Sequence, residues 1–319
     1  MKKTLLFAII LATATFLSCS KDDSSIDNYK KEIVFNAYTN SLSKAEVVTD
    51  PNFLEFNVYS YKTDGAYSPS IASNIDMDNV EFSRENSKED WKHEGNYFWP
   101  TESIEKLQFF AFSPVDNVSY SFLENSYPTF EYKINSNVSE QKDLVVSSLL
   151  DQEQSTNDGK IDLFFNHVLS QINFSLKGEK EGFDYTVTKI ELKKIKNTGT
   201  FTFNATSGEW IDGSGYDDYA FNLTSDNVVN GKTPISLSGV EKTMILMPQK
   251  TDKGAKIKIT YSVKQISTGT ELFNGFQEKY LSSIVWKKNT KTNYNITLPV
   301  GCSDDLTFEV KISPWFIKR

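Results

Sequence analysis

Cys19 carries the most sharply defined chemistry in the chain. It follows an apolar run from Leu5 to Leu17, which Lys2 and Lys3 precede and Ser18 ends. A basic start, roughly a dozen apolar residues and a small residue before the cut form the layout of an export signal, too short to span a bilayer comfortably. A thiol directly after the small residue can accept a diacylglycerol, and cleavage then leaves Cys19 as a lipidated first residue. The alternative is a plain secretory signal that ends near a Cys. Phe16-Leu17-Ser18-Cys19 departs from the commonest lipobox, which has Leu three places before the Cys. Each buried lipid methylene contributes about 0.8 kcal/mol, so several acyl chains would anchor the chain stably.

The remaining reactive side chains are few. His93 and His167 are the two histidines, far apart in sequence and outside any His-Glu-x-x-His spacing. There is no Gly-x-Ser-x-Gly elbow, phosphate loop or dinucleotide fingerprint, so no enzymatic activity and no cofactor are expected. His167 lies between Phe164-Phe165 and Val168-Leu169, the setting of a hydrogen-bonded structural His, whereas His93 beside Lys92 and Glu94 reads as a loop residue. Cys302, in Gly-Cys-Ser-Asp-Asp, has no nearby cation to lower its pKa and reads as a tolerated thiol. Asp76, Asp78 and Glu81, Asp217-Asp218 and Asp304-Asp305 lack the twelve-residue calcium-loop pattern and read as solvated turns, with no metal expected. Trp210, Tyr216 and Tyr219, in a Gly- and Asp-rich stretch, are the candidate aromatic platform for a glycan.

These residues are positioned by strands. Period-two alternation recurs in Leu54, Phe56, Val58; Leu107, Phe109, Ala111; Ile172, Phe174, Leu176; Ile257, Ile259, Tyr261; Tyr294, Ile296, Leu298; and Phe308, Val310, Ile312. Turn chemistries separate them, as in Thr63-Asp64-Gly65 and Asp212-Gly213-Ser214-Gly215. No long capped amphipathic helix stands out, and with 13% aromatic residues to fill cores the expected class is all-β, a pair of antiparallel sandwiches. About 300 residues remain after the signal, more than one core usually holds. The expected order is a signal peptide at 1–18, a polar tether at 19–31, an N-terminal sandwich at 32–155 and a C-terminal sandwich at 156–319. Loss of Lys2 and Lys3 with the signal takes the formal net charge from −8 to −10, which excludes nucleic acid as a partner class. With Cys19 lipidated, Cys302 has no partner within the chain, so disulfides do not hold the fold. Lys21-Asp22-Asp23 resembles the acidic export tag of Bacteroidota surface lipoproteins, which places the chain on the outer face of the outer membrane.

Several segments, taken in order, resemble the fimbrillin family of Bacteroidota fimbrial lipoproteins over nearly the whole mature chain. They are Ile33-Val34-Phe35-Asn36-Ala37, Ser43-Lys44-Ala45, Phe56 to Tyr61, Trp91, Tyr97-Phe98-Trp99-Pro100 and Leu107 to Pro114. Then come Lys142 to Val146, Leu163 to Ser170 with its Phe-x-His-x-Leu-Ser pattern, Thr198-Gly199-Thr200 and Met244 to Gln249. Trp286, Tyr294-Asn295-Ile296 and Val310 to Trp315 complete the series. The resemblance implies two tandem transthyretin-like sandwiches in a fimbrial subunit or tip adhesin that polymerises by donor-strand exchange. In the family a protease cuts after the first strand, that strand leaves, and a C-terminal segment of another subunit fills the groove.

Mapped onto this sequence, the displaced strand is Glu32 to Tyr38, with Ile33, Phe35 and Ala37 on its inner face. Lys44 is the candidate cleavage residue, although the best-known members are cut after Arg and the arginines here are Arg84 and Arg319. Phe308, Val310 and Ile312 form the candidate donor strand, with the last strand of the second sandwich as the other reading. Implied partners are other fimbrial subunits, the outer membrane through the lipid anchor, and a host protein or glycan receptor. A monomeric, surface-anchored glycan binder is the alternative function.

Overall fold

The computed structural model describes residues 30–39, 52–69, 73–114, 118–122, 126–154, 159–224, 228–237, 242–281, 283–301 and 304–315. The signal segment, Cys19, most of the tether, Lys44 and Cys302 lie outside them. Among the described residues the elements are β-strands, with a short 3-10 turn at Val138–Glu140, so the chain is all-β.

The N-terminal part contains β1 (Val34–Thr39), β2 (Glu55–Asp64), β3 (Ser73–Ser83), β4 (Glu105–Ser113), β5 (Val118–Ser121), β6 (Thr129–Lys133), β7 (Val145–Gln152) and β8 (Lys160–His167). Six of these form one sheet in the order β1-β8-β7-β4-β2-β3. The sheet rolls on itself, so that its two edge strands meet across the interior: the Phe35 ring on β1 lies 4.8 Å from that of Phe82 on β3. Alternation dictates what points inward. Phe56 and Val58, Leu107, Phe109 and Ala111, and Ile161, Leu163 and Phe165 fill a single core with the inner residues of β1.

β4 is buried on both faces. Its other row, with Phe110 and Phe112, packs against a second sheet of order β12-β11-β6-β5, in which β11 (Thr198–Phe203) and β12 (Gly208–Asp212) come from far along the chain. Two findings qualify the expected division at 155/156. β8 lies beyond it yet pairs with β1, and β11 lies beyond it yet pairs with β6 in the register Thr198↔Lys133 to Thr202↔Thr129.

At the contact between these two sheets the Tyr59 and Tyr120 rings stack 3.5 Å apart, and the Tyr61 and Tyr120 hydroxyls share a 3.0 Å hydrogen bond. Burial, helped by the Asp78 charge, pushes the Tyr59 phenol up to about 12, and burial also raises Tyr61 and Tyr120. An unfolded tyrosine ionises near 10. The native state therefore holds protons that the unfolded chain releases, so the stability is intact below about pH 10 and falls as pH rises from 10 towards 12. Denaturant midpoints measured over that window should decline in step with a delayed fraction of the phenolate absorbance. A single unshifted tyrosine titration with a constant midpoint would contradict this.

The remaining strands are β9 (Ser170–Gly178), β10 (Phe183–Lys196), β13 (Tyr216–Asn222), β14 (Val228–Asn230), β15 (Ile235–Leu237), β16 (Met244–Leu246), β17 (Gln249–Lys250), β18 (Lys256–Gln265), β19 (Glu271–Tyr280), β20 (Val285–Trp286), β21 (Thr290–Leu298) and β22 (Thr307–Pro314). One sheet runs β15-β9-β21-β22 and the other β13-β10-β18-β19. Ile172, Phe174 and Leu176 from the first face Ile190, Leu192, Ile257 and Ile259 from the second in a common core. The ladders are mostly antiparallel, but β1 runs parallel to β8 and β21 parallel to β9.

Candidate functional site: the β1 groove and the C-terminal edge strand

β1 is built as an insert. Ile33, Phe35 and Ala37 are 2%, 5% and 7% exposed, while Val34 and Tyr38 on the alternate row are 49% and 43% exposed. Phe35 meets Phe56, Phe82 and Phe109 at centroid distances of 6.5, 4.8 and 5.3 Å, so a single ring touches three other strands. One backbone edge is paired in parallel with β8, from Val34↔Lys160 to Thr39↔Phe165. On the other side the entry is pinned: Ile33 N–H donates to the Tyr97 carbonyl at 2.9 Å and Trp99 N–H donates to the Lys31 carbonyl at 2.9 Å. From Val34 onward β1 is an edge strand among the described residues. Outside, Asn36 Nδ2 donates to Asp162 Oδ1 at 2.8 Å and the Tyr38 ring stacks on Phe164.

Burying Ile33 and Phe35 at roughly 1.5–3 kcal/mol each contributes on the order of 3–6 kcal/mol before ordering costs. Without β1, the floor of the first core would be open along β8 and a row of backbone groups on β8 would lack partners.

The candidate donor residues lie on β22, which pairs antiparallel with β21 from Thr297↔Thr307 to Thr290↔Pro314 and forms the edge of its sheet. Phe308 and Val310 face the core and are half-buried, with Phe308 5.3 Å from the Tyr294 ring, while Ile312 is 51% exposed. The strand is tied down at its end. Trp315 is buried, its N–H donates to the Asn289 carbonyl at 3.0 Å, and its indole lies parallel to the His167 imidazole at 4.6 Å. His167 Nδ1 lies 2.6 Å from Asp143 Oδ2, both side chains being fully buried. The Phe-x-His and Ser-Pro-Trp segments, remote in sequence, therefore meet in one stacked cluster. The role of His167 as a structural residue was legible from its apolar flanks; its two partners were not.

The aromatic platform does not assemble. Tyr219 is fully buried, Tyr216 hydrogen-bonds Asp252 at the surface, and Trp210 donates from Nε1 to the Val168 carbonyl at 2.6 Å. A Cβ on Gly199 would lie 2.5 Å from Met247 Cε and 3.0 Å from the Trp210 ring. That close approach explains a glycine between two threonines. The His93 ring leans on Phe82 and Tyr97. Asp217 accepts from Asn197 Nδ2 and Asp218 from the Lys194 N–H, and among the described residues no cluster of three or more His, Cys, Asp or Glu is arranged to hold a metal. Arg84 is anchored too, donating to the Phe53 carbonyl and lying over the Trp91 ring at 4.0 Å.

Comparison with known proteins follows the same outline. A fimbrium subunit, Fim1C, of Phocaeicola vulgatus is 23% identical across 96% of this chain and 95% of its own. The solved structure of a fimbrial protein from Bacteroides vulgatus superposes with a TM-score of 0.68 at 19% identity, covering 89% of this chain and 99% of that one. The profile of the fimbrillin-like family matches residues 47–315, so the chain belongs to that family.

Proposed function

We propose that this chain is a subunit or tip adhesin of a surface fimbria, exported as a lipoprotein through Cys19 and joined to a neighbour by strand exchange at the β1 groove. The observation that carries the reading is the construction of β1: an edge strand whose inner row of Ile33, Phe35 and Ala37 is apolar up to the closing Thr39, inserted at the seam of a rolled sheet. Such a strand can be withdrawn without unthreading any other, and the slot it leaves suits a strand of the same alternation. Family membership and the 96% coverage of a fimbrium subunit support it independently.

Cleavage in the connection between β1 and β2 converts the stopper from a tethered segment into a separate peptide. Lys44 is the one basic residue of the stretch 40–51, and Arg84, held against Phe53 and Trp91, is not a competing site on a free loop. Lys44→Ala should leave the exported chain uncut by a Lys-specific protease between β1 and β2. The uncut chain should stay monomeric in SDS, whereas the wild-type chain loses its lipidated N-terminal peptide and gives SDS-resistant ladders. Ladders of undiminished intensity from Lys44→Ala would overturn the cleavage assignment. Cleavage without any ladder would overturn the exchange. To act as a donor, β22 must leave β21 and withdraw Trp315 from the His167 ring, so a subunit that keeps β22 in place accepts a strand without giving one.

A further inference from the structure

We propose that the free edge of β19 is a self-association surface that pairs with β19 of a second copy of this chain about a two-fold axis. β19 ends its sheet, and among the described residues no strand pairs with its outer edge. Natural edge strands are kept apart by short length, proline or charge. β3, the other long edge, carries Asp76, Asp78 and Glu81, and β22 carries Lys311 and Pro314. β19 runs for ten residues with no proline; it carries Glu271, Glu278 and Lys279 and a bulge opposite Val263 and Lys264, and its solvent row alternates Leu272, Phe276 and Tyr280, at 48%, 56% and 57% exposure, with Asn274 and Glu278. Three large side chains exposed along one free edge, with polar residues between them, offer apolar surface for an interaction.

The row is complementary to itself. A two-fold axis perpendicular to the sheet keeps solvent row against solvent row, so an antiparallel pairing must be centred on a residue. Centred on Phe276, the pairing sets Phe276 against its own copy, Leu272 against Tyr280 of the second molecule, and Asn274 against Glu278. Centring on Gly275 sets Leu272 against Glu278, centring on Gln277 sets Phe276 against Glu278, and centring on Glu278 opposes that carboxylate to itself. Centring on Asn274 leaves Tyr280 outside the overlap. The Phe276 register alone aligns the whole apolar row.

Charge does not oppose it. Glu278 is already paired with Lys256 at 2.9 Å, and the Lys256 and Lys258 ammonium groups sit 4.9 and 4.1 Å from the Tyr280 and Phe276 ring centroids. Both lysines belong to β18, one strand inside, so they flank the seam. The surface is separate from the β1 groove and would join subunits, or neighbouring fibres, side by side.

The test uses the exported chain in detergent with β1 uncleaved, so that strand exchange cannot contribute. In a Cys302→Ser background, Phe276→Cys should oxidise to a disulfide-linked dimer. Leu272→Cys should not, because the two Leu272 copies would stand eight residues apart along the seam, about 27 Å. By sedimentation the wild-type chain should dimerise and Phe276→Glu should be monomeric with an unchanged melting temperature. Equal crosslinking of the two cysteine variants, or a wild-type chain that sediments as the monomer, would overturn the proposal and leave the exchange reading untouched.

Discussion

Phe35→Ala is expected to destabilise the first core by about 3–5 kcal/mol and, in the cleaved subunit, to speed replacement of β1 by an incoming strand. The size follows from the packing: the ring touches Phe56, Phe82 and Phe109 on three different strands, so its removal opens a cavity where the two edges of the rolled sheet meet. Val34→Thr on the exposed row of the same strand should change stability by no more than about 0.5 kcal/mol. The kinetic part is the sharper expectation. If β1 must leave before a donor strand enters, weakening only β1 lowers the cost of departure without touching the donor's contacts. About 3 kcal/mol corresponds to roughly a hundredfold. Guanidinium unfolding of the uncleaved chain gives the first number, and the rate at which a labelled β1 peptide is lost from the cleaved chain gives the second. A variant that is destabilised as expected but exchanges at the wild-type rate would show that β1 is ordinary core and not a stopper.

The inner face of β1 was legible in the sequence because alternation is a local property: Ile33, Phe35 and Ala37 announce a half-buried strand whatever it pairs with. Its partner was not legible. β1 pairs with β8, a strand placed in the other half of the chain by a polar stretch that looks like a linker, and no local pattern signals a parallel ladder between segments so far apart. β4 shows the same limit. Leu107, Phe109 and Ala111 read as one buried face, but Phe110 and Phe112 are buried as well because a sheet assembled from β5, β6, β11 and β12 covers them. Trp210 looks available for a ligand in the sequence because its neighbours are glycine and acid; its indole N–H is in fact spent on the Val168 carbonyl. β22 was readable as a strand, while its fixing by Trp315 depends on a ring contributed by β8.

That last contact sets the second large expectation, which is that Asp143→Ala should cost about 3–5 kcal/mol and loosen β22 along with the first core. His167 and Asp143 are fully buried and joined at 2.6 Å, so removing the carboxylate leaves an imidazole N–H without its acceptor in an apolar site. The imidazole is also the surface on which Trp315 stacks, and the indole closes the end of β22. A tilt of the ring is therefore transmitted to β22, the strand proposed as donor. Asp143→Leu combined with His167→Phe removes both polar groups together while keeping an aromatic face for Trp315, and should recover much of the loss. Hydrogen exchange separates the two consequences. In Asp143→Ala the β22 amides should exchange faster than in the wild-type chain while those of β18 keep their rates, whereas the double variant should restore the wild-type protection of β22. If Asp143→Ala lowers stability but β22 keeps its protection, the cluster fastens only β8 to the body of the protein, and donation of β22 must be controlled elsewhere.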